Sequence, residues 1–224
     1  MNEEKYIYQQ LPRKELLDLI PLTNRNGNLL EIGAGAGDTL LYAKENDFAK
    51  NIYGVELCEI KNSNQDSEVF SDFIIGNIET IVLPFENSQF DVILCGDVLE
   101  HLIDPSRTLK LLKKYLKPNG VIVASIPNIR EFKTMKKIFF QGDFRYEDSG
   151  ILDRTHLRFF CKKNIIELFE DQGLNIIKIV SSNKNRAMRY SKKFRLFKLF
   201  LQIFFEEYST PISQDNFSKI LIPS

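Results

Sequence analysis

Residues 29 to 37 read LLEIGAGAG, an apolar run that carries one acid, Glu31, and then places Gly33, Gly35 and Gly37 at alternate positions. Lacking a Cβ, Gly33 can make the sharp exit from a strand, Gly35 can let a ligand touch main chain, and Gly37 can let the next helix pack closely. Such a loop cradles a nucleoside-bearing ligand. A second acid, Glu56, closes the short apolar run of Tyr53, Gly54 and Val55. It stands at roughly the 20-residue distance from the loop at which a strand-end carboxylate accepts hydrogen bonds from both ribose hydroxyls. The glycines are spaced GxGxG, with Asp38 after Gly37. The GxGxxG fingerprint of dinucleotide sites is therefore absent, and nothing else in the stretch is tuned to a pyrophosphate.

The elements that must position these residues alternate short strand-like runs with helix-like ones, the pattern of a mostly parallel sheet covered by helices on both faces. Strands are expected at 29–32, 52–55, 70–75, 90–95, 121–125, 174–180 and 220–222, seven in all. Between the fourth and fifth, Asp104 can cap a helix with Pro105 at its first position; Leu109, Leu112 and Leu116 supply its inward stripe, and Pro118, Asn119 and Gly120 end it. A second helix is expected over about 163–172, with Ile165, Ile166, Leu168 and Phe169 inward and Gly173 at the C′ position.

Composition sets outer bounds. A chain of 224 residues, 43% hydrophobic, can bury one sizeable core, so a single α/β domain over 1–224 is expected. Thirty basic and thirty acidic residues give no net field that would recruit nucleic acid. Cys58, Cys95 and Cys161 are far apart and form no CxxC, and MNEEKYIYQQ lacks the apolar core of a signal peptide, so reduced thiols in cytoplasm are expected.

The ordered blocks LLEIGAGAG, YGVELCE, GNIET, FDVILCGDVLEHLIDP and LLKKYLKPNGVIVASIPNIR together resemble the class I S-adenosylmethionine (SAM) dependent methyltransferases, with a Rossmann-like sheet. GILDRTHLRFF, from Gly150 to Phe160, resembles the branch of that superfamily associated with bacterial surface-polysaccharide synthesis, while DVLEHL also resembles quinone-pathway O-methyltransferases. The resemblance runs from about Tyr8 to Val180. It implies SAM as cofactor, with Glu31 and the loop of Gly33, Ala34, Gly35 and Gly37 under the methionine moiety and ribose. Glu56, followed by Leu57, would hold the ribose hydroxyls. Asn77, followed by Ile78, stands where the family usually has an aspartate that meets the adenine amino group; its amide carbonyl can still accept, but without charge. Asp97 lies in the block that leaves the fourth strand toward the reacting methyl group. Tyr8 and Arg13 match a cover helix, within residues 1–24, that closes over the cofactor, although Leu16, Leu17 and Ile20 could simply pin that helix to the sheet and leave Arg13 solvated.

Methyl transfer from a sulfonium is an in-line displacement, so the protein must align the nucleophile and can remove its proton. His101 is suited to that as a neutral imidazole near pH 7, or else orients a loop with Glu100 as its partner. His156, the only other histidine, sits in the dense polar run from Asp153 to Arg158. There Arg154 and Arg158 could bind a substrate phosphate or carboxylate, or Asp153 could pair internally with Arg158. Asp97, Glu100 and His101 share a face only on a helix and offer a hard ion too few oxygens, so no metal is expected.

The tail departs most from a simple domain. From Lys184 to Lys198 there are seven basic residues and no acidic one, interleaved further on with Phe194, Phe197, Phe200, Phe204 and Phe205. A helix within 184–210 would be a substrate lid, or would lie in an anionic membrane interface as a weak peripheral contact, but is too short and too charged to span. Residues 128–160 are expected to form a substrate-side insertion. The overall expectation is O-methylation of a sugar or carrier-linked sugar, the acceptor being a nucleotide sugar or lipid-linked sugar. A quinone-pathway or other small-molecule O-methyltransferase is the alternative, and a non-catalytic cofactor-binding partner subunit the alternative of another class.

Overall fold

The computed structural model describes residues 11–180 with their side chains, and the backbone of Ser181 and of 217–223. Seven strands form one sheet: β1 (Gly27–Ile32), β2 (Ala49–Glu56), β3 (Asp72–Ile75), β4 (Phe90–Gly96), β5 (Leu116–Pro127), β6 (Lys178–Ser181) and β7 (Phe217–Pro223). Their order is β3-β2-β1-β4-β5-β7-β6. The first five are parallel, and β7 runs antiparallel to both β5 and β6. Five parallel strands need a crossover between each neighbouring pair, and the crossovers cover both faces.

Side-chain alternation sends successive strand residues to opposite layers. Leu30, Ile32, Ile93 and Ile122 meet Leu109 and Leu112 of α3 (Pro105–Tyr115) and Ile165, Leu168 and Phe169 of α5 (Lys162–Glu170). On the other face Leu29, Ile52, Val92, Leu94 and Val123 meet Leu16 and Leu17 of α1 (Lys14–Leu17) and Leu40 and Ala43 of α2 (Asp38–Glu45). Helix α4 (Phe132–Gln141) buries none of its residues. No helix among the described residues is long and apolar enough to cross a membrane.

The expected helices form with shifted ends. Asp104 caps α3, its side chain accepting from the Arg107 N–H, and Pro105 takes the first position. The helix stops at Tyr115, because Leu116 already pairs with Phe90 and opens β5. Gly173 follows α5 with φ +66, and Lys113 of α3 donates to the Gln172 and Gly173 carbonyls at 2.7 and 3.0 Å, joining the two helices. The sixth strand begins at Lys178 rather than at Leu174, because ladder pairing with β7 starts there; Leu174 is a core residue instead. Phe70 lies outside β3 and packs on Phe73, its ring standing where a Cβ at Gly37 would fall.

Candidate active site

Strands β2, β1, β4 and β5 end side by side at one edge, and the order reverses between β1 and β4, the crevice where open α/β sheets take ligands. At this edge Gly33 has φ +70, and a Cβ there would come within 2.6 Å of Val98 Cγ2. Gly33 and Ala34 donate their N–H groups to Val55 O, folding the loop back over β2. Glu56 is buried, and its two carboxylate oxygens accept from the N–H groups of Gly35 and Leu57 at 2.7 and 2.8 Å. The carboxylate expected to face a ribose is therefore also the clamp that shapes the glycine loop. Leu57 beside it stays 64% exposed, an apolar surface at the rim.

Gln65 completes that clamp. Its amide donates to Gly35 O at 2.9 Å and Cys58 O at 3.2 Å and accepts from the Ile60 N–H at 2.8 Å. Nothing in the sequence marks this residue, because a glutamine in the polar run KNSNQDS carries no periodicity and no spacing signal.

Glu31 is buried, and one of its oxygens has no hydrogen-bond partner. Desolvation pushes its pKa up to about 8; the nearby Arg13 charge and a hydrogen bond with Thr39 oppose the shift, and Glu56 and Asp38 add to it. Arg13 is not solvated. It pairs with Asp97 at 2.8 Å and with Glu15 at 2.9 Å, and donates to Ser125 Oγ at 3.0 Å. Asp97, with φ +58, accepts from that serine hydroxyl at 2.5 Å. The first described segment is thus tied to the ends of β4 and β5 by charge, while Leu16, Leu17 and Ile20 pin it to the sheet as expected. Ser125 carries no signal of this role in the sequence, since a serine inside a strand reads only as a tolerated polar residue.

Asn77 is exposed and uses Oδ1 to accept from the Glu79 N–H at 2.9 Å, so it closes a turn beside the rim. Ile78 behind it is buried. Glu79 in turn accepts from the N–H groups of Ile103 and Asp104, fixing the loop after β3 to the start of α3.

His101 and His156, 55 positions apart in the chain, are brought together with ring centroids 4.8 Å apart, edge to face. The link is main chain: Leu157 and Arg158 donate to Glu100 O at 2.9 and 3.0 Å. Glu100 is not the hydrogen-bonding partner of His101, which the sequence allowed. His101 Nδ1 faces Thr155 O at 3.2 Å, and both Glu100 carboxyl oxygens are buried without a partner. The segment is a 3-10 turn (Leu99–His101), and three residues per turn do not bring Asp97 onto the face of His101. The internal Asp153–Arg158 pair does not form either. Asp153 accepts from the Thr155 N–H and hydroxyl, Arg158 donates to Ile103 O at 2.6 Å, and Arg154 pairs with Asp148 at 2.7 Å. The two arginines expected to grip a substrate anion thus each have a protein partner. Phe159 lies 6.4 Å from His156 and packs against Phe144 and Tyr146, an aromatic wall with Phe144 44% and Tyr146 53% exposed. Tyr8 and the basic aromatic run within 184–210 lie outside the described residues.

A family model described as "Methyltransferase domain" matches residues 5–179. A demethylmenaquinone methyltransferase of Staphylococcus haemolyticus is 30% identical over 60% of this chain and 59% of its own, so the chain spans about three fifths of that relative. A ubiquinone biosynthesis O-methyltransferase of Coxiella burnetii is 24% identical over 78% of this chain and 70% of its own. Among solved structures, a SAM-dependent methyltransferase from Archaeoglobus fulgidus superposes with a TM-score of 0.63 at 16% identity, covering 94% of this chain and 92% of that one, a likeness of fold.

Proposed function

Since the chain belongs to the methyltransferase-domain family and is a SAM-dependent methyltransferase, we propose that it methylates a hydroxyl on a small ring compound of the quinone-precursor kind. The residues present fit the cofactor: a buried Glu31 oxygen lacks a partner at the foot of a loop whose three glycines have positive φ values and no side chain to obstruct a ligand. Glu31 would hold the cationic methionine end. Gly33, Ala34, Gly35 and Gly37 would take the middle, Glu56 and Leu57 the ribose, and Asn77 and Ile78 the adenine, with Arg13 and Asp97 closing the rim. When bound, SAM supplies an electrophilic methyl group on a sulfonium.

The chain's own residues then have to present a nucleophile and manage one proton. Nδ1 of each imidazole faces a backbone carbonyl, Thr155 O for His101 and Ile151 O for His156. Each ring therefore keeps Nδ1–H and leaves Nε2 as the acceptor. Burial and the neighbouring His156 lower the pKa of His101, which favours the neutral ring at physiological pH. One Nε2 can take the proton of an acceptor hydroxyl, and the wall of Phe144, Tyr146 and Phe159 orients a flat ring beside it.

The observation that carries the choice of acceptor is that wall next to the paired imidazoles. Kinship with quinone-pathway enzymes points the same way. The test is turnover with a catechol or hydroquinone beside a nucleotide sugar. Methylation of the phenols alone is expected, and turnover of the sugar alone would overturn the reading. A general base typically contributes about 10²- to 10⁴-fold in rate. His101→Gln or His156→Gln is therefore expected to lower turnover with cofactor affinity retained.

A further inference from the structure

The carboxylate of Glu100 and the imidazoles of His101 and His156 form a group whose ligating atoms all lie within 4.8 Å of one another. Glu100 is fully buried, and neither of its oxygens has a hydrogen-bond partner. His156 is 8% exposed. With both Nδ1 atoms directed at backbone carbonyls, the lone pair left to each ring is that of Nε2. The two Glu100 oxygens, buried without a donor beside a half-buried His101 and a buried His156, are costly and require a cation or a proton. Backbone bonds from Leu157 and Arg158 to Glu100 O hold the two segments in this register, so the convergence does not depend on long flexible side chains.

Imidazole whose second nitrogen donates to a carbonyl is the arrangement that orients histidine ligands toward a metal. Two nitrogens and one carboxylate form a set of borderline hardness, suited to Zn²⁺, Fe²⁺, Mn²⁺ or Co²⁺, whereas the hard ions Mg²⁺ and Ca²⁺ prefer oxygen to imidazole nitrogen. We infer that Glu100, His101 and His156 are a divalent transition-metal site at the reacting edge of the sheet, with coordination positions left open for an acceptor oxygen. The site stands on the cluster alone and does not rest on the nature of the acceptor. When it is filled, both imidazoles are ligands, and the cation instead of a free Nε2 lowers the pKa of the bound hydroxyl. This replaces the expectation of no metal, which considered Asp97 with Glu100 and His101; Asp97 is taken by Arg13 and Ser125, and His156 supplies the third ligand from a distant loop.

The test is a Co²⁺ titration of the untagged full chain after dialysis against a chelator. One equivalent is expected to give visible d–d absorption, abolished by Zn²⁺ and unaffected by Mg²⁺. The chain holds only two histidines, so an imidazole-bound signal has no other source. The exposed Cys58 is excluded by repeating the titration on Cys58→Ser. His156→Gln and Glu100→Gln are each expected to weaken Co²⁺ binding at least by the roughly 10- to 100-fold that loss of an outer partner costs a metal site. The cofactor affinity of these variants reports whether the fold survives. If the wild-type chain shows no saturable absorption, or if a folded His156→Gln binds Co²⁺ as tightly as wild type, the site is a hydrogen-bonded acid–imidazole cluster and the inference falls. Either result leaves the choice of phenol or sugar acceptor to be decided by turnover.

Discussion

At the scale of single residues, the most consequential group is Glu31. Its protonation is set by burial, with Arg13 and Thr39 favouring the anion and Glu56 and Asp38 opposing it; the buried thiol of Cys95 also feels it. A carboxyl whose folded pKa lies near 8, above its ordinary value, stabilises the fold fully below that ordinary value. The contribution is lost as pH rises through about 8. A cation seated on it favours the ionised form. SAM affinity should therefore increase as pH rises toward 8 and level off above it, with proton release on binding below that pH, measurable by calorimetry in buffers of different ionisation enthalpy. Glu31→Gln should flatten both the affinity and the stability profiles. Glu56→Ala should weaken SAM binding by more than the ribose contacts alone would imply. Hydrogen bonds to a charged group are worth about 1.5–3 kcal/mol each, and this variant also frees the Gly35 and Leu57 N–H groups. Unchanged affinity would remove Glu56 from the site.

At the scale of elements, the turn from β1 to α2 carries the demand on sequence. A left-handed backbone costs an ordinary L-residue on the order of 1–2 kcal/mol, and at Gly33 a Cβ would also overlap Val98. Gly33→Ala should therefore lower the melting temperature and weaken SAM binding, because the left-handed backbone is strained for alanine and Val98 Cγ2 must turn away from the added Cβ. The cap of α3 makes a contrasting prediction. Asp104→Ala should cost about 1 kcal/mol of stability through loss of the bond to the Arg107 N–H, with SAM affinity close to wild type. Its side chain serves the helix, and denaturant melts together with calorimetry separate the two effects.

At the scale of the whole molecule, a sheet buried on both faces makes the site dependent on cores remote from it. Phe169 of α5 is fully buried in the layer that backs β1 and β4, and Phe169→Ala should cost about 3–5 kcal/mol, read as a fall in the denaturant midpoint with the slope preserved. The order of strands and helices was legible in the sequence because the information is local: alternation sorts Leu29 from Leu30 between layers, Asp104 and Pro105 start a helix, and Gly33 to Gly37 mark the turn. Glu56 was legible as a ribose candidate for the same reason, its distance from the glycine loop being local, whereas the cofactor role of Glu31 came with the family resemblance. What only tertiary structure decided is how distant segments meet. His156 reaches His101 because a loop returns to the Glu100 carbonyl, Arg13 reaches Asp97 and Ser125 because α1 lies across the ends of β4 and β5, and Gln65 reaches Gly35 from a coil without periodicity. Such contacts are made between side chains and carbonyls far apart in the chain. They leave no spacing in the sequence, because a hydrogen bond or an ion pair constrains only the final distance and not the number of residues between its partners.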